Sequence, residues 1–493
     1  MVFQYWTTTF PRRPAIVRTF NANSQRSHVA LDLVPKESLQ MKLKALITST
    51  LLLLFLALMF VAQTGNSSAA AARSLSFTNT PLLRPDGNSE PAISIAGNGQ
   101  MALSGLSWLT FGTNYWTGAF GSTPTYQGVM DATLQKQGKR VLGGGDADID
   151  LGSTGALHAS TLIFLVNPQF NAYQLGVSAI TCPNGASPGF TSSNCTSQII
   201  DTTGADRQWV TSDAAHVYIS YHDSGNSTLI HLQRSDDDGY TWQKVASPVV
   251  GQGGATGDAT FNNDQGPIVA DPLTHNVYDI YAAGEAGIQK AKSANFNNIY
   301  VSRSTDMGKT WTATLVYHAP LFTALNNIFP SLAVDPKNGK LYATWSDAHA
   351  VYFSTSSNQG STWSAAVKVS ASPATTAIFP WVAAYNGTVD VVYYGTTAAS
   401  DDDSSAVWNT YLAQTTNDGA NFAQSVVSNR PNHFGVICVE GTGCAQGTRN
   451  LLDLFEVAIN PQNGKAAVIY TDDTISKTST GDPLPQVVLA LQK

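Results

Sequence analysis

Apolar and polar residues alternate over short runs through most of the chain, which is the period-two pattern of half-buried strands and not the 3.6-residue period of helices. Two stretches carry it most clearly, Asn327–Asp347 (NIFPSLAVDPKNGKLYATWSD) and Leu454–Asp473 (LFEVAINPQNGKAAVIYTDD). Each predicts a strand, a turn of Asp or Asn, Pro, Asn and Gly, and a second strand that ends in an aromatic residue followed by an acid. Looser copies begin near Glu90, Asp146, Arg207, Gln265 and Phe379, so the hairpin recurs seven times at intervals of 51 to 74 residues. A repeat of this length without a helical unit predicts an all-β array.

A second element falls about halfway through four of the seven units: SDDDGYTW at Ser235–Trp242, STDMGKTW at Ser304–Trp311, SSNQGSTW at Ser356–Trp363 and TTNDGANF at Thr415–Phe422. A hairpin turn needs an acceptor for its free backbone N–H groups, a glycine where φ is positive, and an apolar anchor. Asp237 and Asp306, the four glycines, and Trp242, Trp311, Trp363 and Phe422 meet those needs, so these aspartates are read as structural rather than catalytic.

The four boxes resemble the Asp boxes of the sialidase and BNR-repeat superfamily, and the repeat covers roughly residues 75 to 493. The resemblance implies a β-propeller of four-stranded blades around a central channel, with the boxes between third and fourth strands, away from the catalytic mouth. Seven inner hairpins predict seven blades, with Ser74–Leu83 closing the ring as outer strand of the last blade beside Gln486–Leu491. If the unit at Asp146 is an insertion, the six blades of the sialidases return.

Composition changes the picture in three places. With 43% hydrophobic and 12% charged residues, the chain can bury a large core. The uncharged run from Ala45 to Ala62 behind Lys42 and Lys44 reads as a signal peptide beginning at Met41, with small residues Ala69–Ala72 suited to cleavage, or else as an uncleaved anchor. Either way residues 73–493 form a single exported domain, secreted or extracytoplasmic, touching a membrane only through that anchor. Residues 1–72 hold seven of the 27 basic and two of the 34 acidic residues, so what remains has a formal charge of −12, which disfavours nucleic acid as a partner. Cys182, Cys195, Cys438 and Cys444 form two close pairs, expected as disulfides 182–195 and 438–444.

In a propeller blade the first strand starts, and the second ends, on the same face. Strand starts nominate Glu90, Asp146, Asp148, Asp206, Arg207, Asp264, Asn327, Arg449 and Asp453 for the channel mouth. Strand ends nominate Tyr221, His222, Asp223, Glu285, Asp347, Tyr394, Tyr470, Asp472 and Asp473. The resemblance implies a glycoside hydrolase, exo-sialidase-like, with three arginines on a substrate carboxylate, a tyrosine nucleophile beside a glutamate, and an aspartate acid/base. Carried onto this chain it selects Arg207, Asp264, Glu285, Arg449, Tyr470 and Asp472. Ser89, Glu90 and Pro91 stand where the superfamily has Arg-Ile-Pro, which favours the alternative of a glycan- or protein-binding propeller without turnover. No cofactor is required; calcium is considered because Asp146, Asp148 and Asp150 are spaced like the first ligands of a calcium loop. A monomer acting on a glycan or glycoconjugate is expected.

Overall fold

The computed structural model describes residues 74–493, apart from 108–111, 139, 168–171, 224–228, 250–262 and 285–295. The proposed signal segment and the first-domain boundary lie outside the described residues, as does Glu285. Seven antiparallel sheets follow one another along the chain: blades 1 to 6 occupy residues 93–129, 141–201, 205–244, 263–318, 331–368 and 376–434. Blade 7 takes residues 456–492 and is completed by Phe77–Pro81, which pairs with Pro483–Gln492 as its outer strand. The chain is therefore a seven-bladed β-propeller, closed by its own N-terminal strand. The unit at Asp146 is a true blade, whose inner edge is shared by Val141–Leu142 and Ala147–Leu151.

All four box segments join third to fourth strands, at Ser235–Gln243, Ser304–Thr312, Ser356–Val367 and Thr415–Ala423. In the first, Ser235 Oγ donates to Asp237 Oδ1 (2.8 Å) and accepts from Gly239 N–H (2.8 Å), while Asp237 accepts from Thr241 N–H and Oγ1 (both 2.7 Å). Trp242 Nε1 then donates to Gly239 O at 3.1 Å, and the whole pattern repeats at Ser304–Trp311. With asparagine in the third box one bond reverses: Asn358 Nδ2 donates to Thr362 Oγ1 (2.8 Å), where aspartate accepts.

The same turns fasten one blade to the one before it. The residue after the box Asp or Asn has positive φ in all four copies (Asp238, Met307, Gln359, Asp418), which pushes it outward. Asp238 accepts from Thr154 Oγ1 (3.0 Å) in blade 2, Met307 O from Arg234 (2.8 Å) in blade 3, Gln359 O from Arg303 (3.0 Å) in blade 4, and Asp418 from Lys340 (2.7 Å) and Tyr342 (2.8 Å) in blade 5.

Along the channel each first strand is a sheet edge whose N–H groups need partners. Side chains of the preceding blade supply them: Ile93 N–H donates to Glu456 Oε2 (2.8 Å), Leu151 N–H to Ser94 Oγ (2.9 Å), Val210 N–H to Asp148 Oδ2 (2.7 Å) and Val382 N–H to Ser331 Oγ (3.2 Å). Buried acids in the channel wall thus follow from edge satisfaction. Between these strands packs an aromatic cluster of Trp209, Phe329, Phe379, Tyr394 and Phe455, in which Trp209 meets Phe329 edge-on at 5.5 Å and Tyr394 stacks on Phe455 at 4.1 Å.

Candidate active site at the channel mouth

First-strand starts from blades 2, 3, 4 and 7 enclose a cavity of about 470 Å³, lined by Asp146, Asp206, Arg207, Asp264, Arg449 and Asp453 among others. All six were nominated from strand starts. Arg207 has φ +56°, and the register between the first two strands of blade 3 slips between Asp206 and Trp209, so a bulge turns its side chain into the cavity. There it pairs with Asp264, which also accepts from Asn326 Nδ2 at 3.1 Å, and its guanidinium lies 5.0 Å from the Phe329 ring centroid. Arg449 grips Asp453 through both nitrogens of its fork, Nε donating to Oδ1 at 2.9 Å.

Both arginines are thus committed to carboxylates of the protein, while Asp146, Asp206 and the adjoining Glu90 have no such partner among the described residues. Desolvation, reinforced by the charges of Asp206 and Asp453 and opposed by those of Arg207 and Arg449, pushes the Asp146 carboxyl up to about 7. Burial likewise raises Asp206, and raises Glu90 well above the carboxylate range with help from Asp146 and Asp453. The aromatic cluster of Phe329, Phe379 and Phe455 abuts this acid wall, with Asp453 bordering both, and keeps that side of the channel apolar.

The described strand-end residues do not line the cavity, because a second strand sits one strand further from the axis than a first. Tyr470 is fully buried in the blade 6–blade 7 core and donates to Asn79 Oδ1 of the closing strand at 2.6 Å. Its hydroxyl is held there as a structural donor, and burial raises its pKa, the opposite of what a nucleophile needs. Asp472 is also turned from the cavity: its Oδ1 accepts from Thr474 N–H (2.8 Å) and Oγ1 (2.7 Å), and Arg430 approaches from blade 6 at 3.9 Å. The segment spaced like a calcium loop is a strand, with Asp148 bonded to Val210 N–H and Asp150 to Ser212 Oγ (2.5 Å), so no loop exists there to wrap an ion. No metal-suited group of His, Cys, Asp and Glu occurs among the described residues.

Sequence reasoning missed Asn263, Phe296, Asn326, Ile328, Val439, Glu440 and Gly441, which complete the lining. Asn263 and Asn326 each precede a nominated residue by one place. Val439, Glu440 and Gly441 lie inside the Cys438–Cys444 disulfide, which clips the connection between blades 6 and 7 and brings it to the mouth. A close cysteine pair just ahead of the last repeat was the available signal. The second disulfide, Cys182–Cys195, joins the outer strands of blade 2.

The fold and its mouth define a seven-bladed propeller with an acidic, arginine-braced cavity. No protein-family model and no curated protein matches the sequence. Solved structures that align with it include an ulvan lyase of a polysaccharide lyase family, with TM-score 0.47 and 11% identity over 83% of this chain and 95% of that one. A protein of unknown function from Dyadobacter fermentans aligns with TM-score 0.46 and 12% identity over 85% and 99% of the two chains. A Trypanosoma rangeli sialidase aligns with TM-score 0.43 and 12% identity over 84% of this chain and 59% of its own.

Proposed function

We propose that the chain is an exported, glycan-acting propeller, a glycoside hydrolase working through carboxyl acid/base chemistry in the mouth cavity. The observation that carries this reading is Asp146: a desolvated carboxyl in a cavity of about 470 Å³, beside carboxylates held by Arg207 and Arg449. Such a group keeps its proton near neutrality and can give it to a leaving glycosidic oxygen, while a second carboxylate activates water or attacks the sugar. Glu440, exposed on the clipped loop and part of the same lining, is our choice for that second group. Export is supported by the two disulfides and by the apolar run at Ala45–Ala62.

The finer exo-sialidase form of this reading asks for three free arginines and a tyrosine nucleophile. Arg207 and Arg449 are already paired and Tyr470 faces the core, so we place sialosides last among the candidate substrates. The test is hydrolysis of a panel of fluorogenic glycosides by the protein and by Asp146→Asn. Turnover that falls at least a hundredfold in the variant, with an unchanged circular dichroism spectrum, supports the assignment. A folded protein that binds a sugar and turns over none would leave the non-catalytic binding propeller in its place.

A further inference from the structure

The charge inventory of the mouth cavity points to a substrate class. Its lining carries five carboxyl groups, Asp146, Asp206, Asp264, Asp453 and Glu440, against Arg207 and Arg449. Asp264 and Asp453 hold the two arginines in ion pairs, which leaves Asp146, Asp206 and Glu440 without an ion pair of their own among the described residues of the lining, the arginine charges reaching Asp146 and Asp206 only from a distance. Behind them sits Glu90, 2% exposed, whose Oε1 is buried without a hydrogen-bond partner and whose electrostatic neighbours, Asp146, Asp453, Arg449 and Asp206, all line the cavity. A buried carboxyl oxygen left unpaired is costly unless something occupies the site for part of the protein's working life. A sugar carboxylate or sulfate brought here meets three carboxyl groups and, among the described residues of the lining, no cation outside the two ion pairs. An ammonium group finds acceptors in those same carboxyls.

We infer that the mouth cavity selects glycans carrying a free amino group, 2-amino-2-deoxy sugars whose nitrogen is protonated, over acidic and N-acetylated ones. The inference rests on the glycan-acting reading above and narrows it. The ammonium pairs with Asp206, and its charge favours ionisation of Glu90 behind the wall, so binding at neutral pH releases protons from the acid wall into solvent while Asp146 keeps the one it gives to the leaving oxygen. Asn263, bonded through Oδ1 to His222, and Asn326, bonded through Nδ2 to Asp264, make the lining polar beside the acids, and the exposed position of Glu440 lets it meet the charged substituent at the entrance.

The experiment is titration calorimetry of the full protein at pH 7 with a β-1,4-linked glucosamine disaccharide, its N-acetylated counterpart, cellobiose and sialyllactose, in two buffers of different ionisation enthalpy. The glucosamine disaccharide is expected to bind at least tenfold more tightly than the other three, with a buffer-dependent enthalpy that reports proton release. Glu440→Gln, at an exposed position, is expected to shrink that margin severalfold, and Asp306→Asn, on the opposite face of the propeller, to leave it intact. Asn already fills the place of Asp306 in two of the four boxes, so that control is compatible with the fold. Equal affinities, a preference for sialyllactose, or a margin that Asp306→Asn reduces as much as Glu440→Gln would overturn the inference while the glycan-acting reading stood. Binding of none of the four sugars, with turnover of no glycoside, would remove the reading beneath it.

Discussion

At the scale of single residues, environment separates groups that sequence treats as alike. Asp146 and Asp472 were both nominated for the mouth, yet Asp146 faces the cavity with no cation committed to it, and Asp472 is consumed by Thr474. Since the Asp146 carboxyl titrates at about 7, a general acid at this place is protonated below that pH and lost above it. We therefore expect kcat to fall as pH rises through about 7, and Asp146→Asn to remove that limb together with roughly 10²–10⁴ of the rate. Tyr470→Phe has the opposite profile. It deletes the bond to Asn79 and should cost about 1 kcal/mol in urea unfolding while leaving glycoside hydrolysis unchanged. An activity loss with unaltered stability would return Tyr470 to the chemistry.

At the scale of elements, the box turn shows how a local motif serves a global contact. Its internal bonds fix the turn, and the fixed turn presents a positive-φ residue to the preceding blade, so one sequence signal closes a hairpin and docks a neighbour. Asp306→Ala removes an acceptor of three bonds, from Ser304 Oγ and from Thr310 N–H and Oγ1, and is expected to cost about 1–2 kcal/mol in chemical unfolding. Asp306→Asn should recover most of it, because Asn358 accepts from Ser356 and from Thr362 N–H and loses only the hydroxyl donor, which it replaces by donating itself. Neither change should alter catalysis. This level of structure was legible in the sequence because its chemistry is local: the box, the Asn-Gly turn and the strand alternation each lie within about twenty residues. The first-strand acids were legible for the same reason. Tyr470 and the second-strand ends were not, since their distance from the axis is set by sheet order, and Glu440 was not, since a disulfide brings its loop to the mouth.

At the scale of the whole molecule, ring closure and channel charge are two sides of one arrangement. The repeat count predicted seven blades and the closing strand, and Phe77–Pro81 indeed completes blade 7 in five paired positions while Leu75 N–H reaches Ser425 Oγ (2.9 Å) of blade 6. Closing seven blades turns seven first-strand edges inward, and the side chains that satisfy those edges include Asp148 and Glu456, buried and mutually repelling. Burial raises both, Asp148 to about 7 even against its two backbone donors, Val210 and Ile149. In the unfolded chain an aspartate loses its proton near pH 4. Between about pH 4 and 7 the native state therefore binds more protons than the unfolded state, and this contribution to stability declines as pH rises through that window. Asp148→Asn keeps an acceptor for Val210 N–H but cannot ionise. Relative to the unsubstituted protein, it should gain stability on going from pH 5 to pH 8, by at most a few kcal/mol on this linkage. Urea unfolding at the two pH values measures the difference. A variant whose deficit is the same at both would mean that Asp148 is already ionised in the fold, and that the channel holds its acids by hydrogen bonds alone.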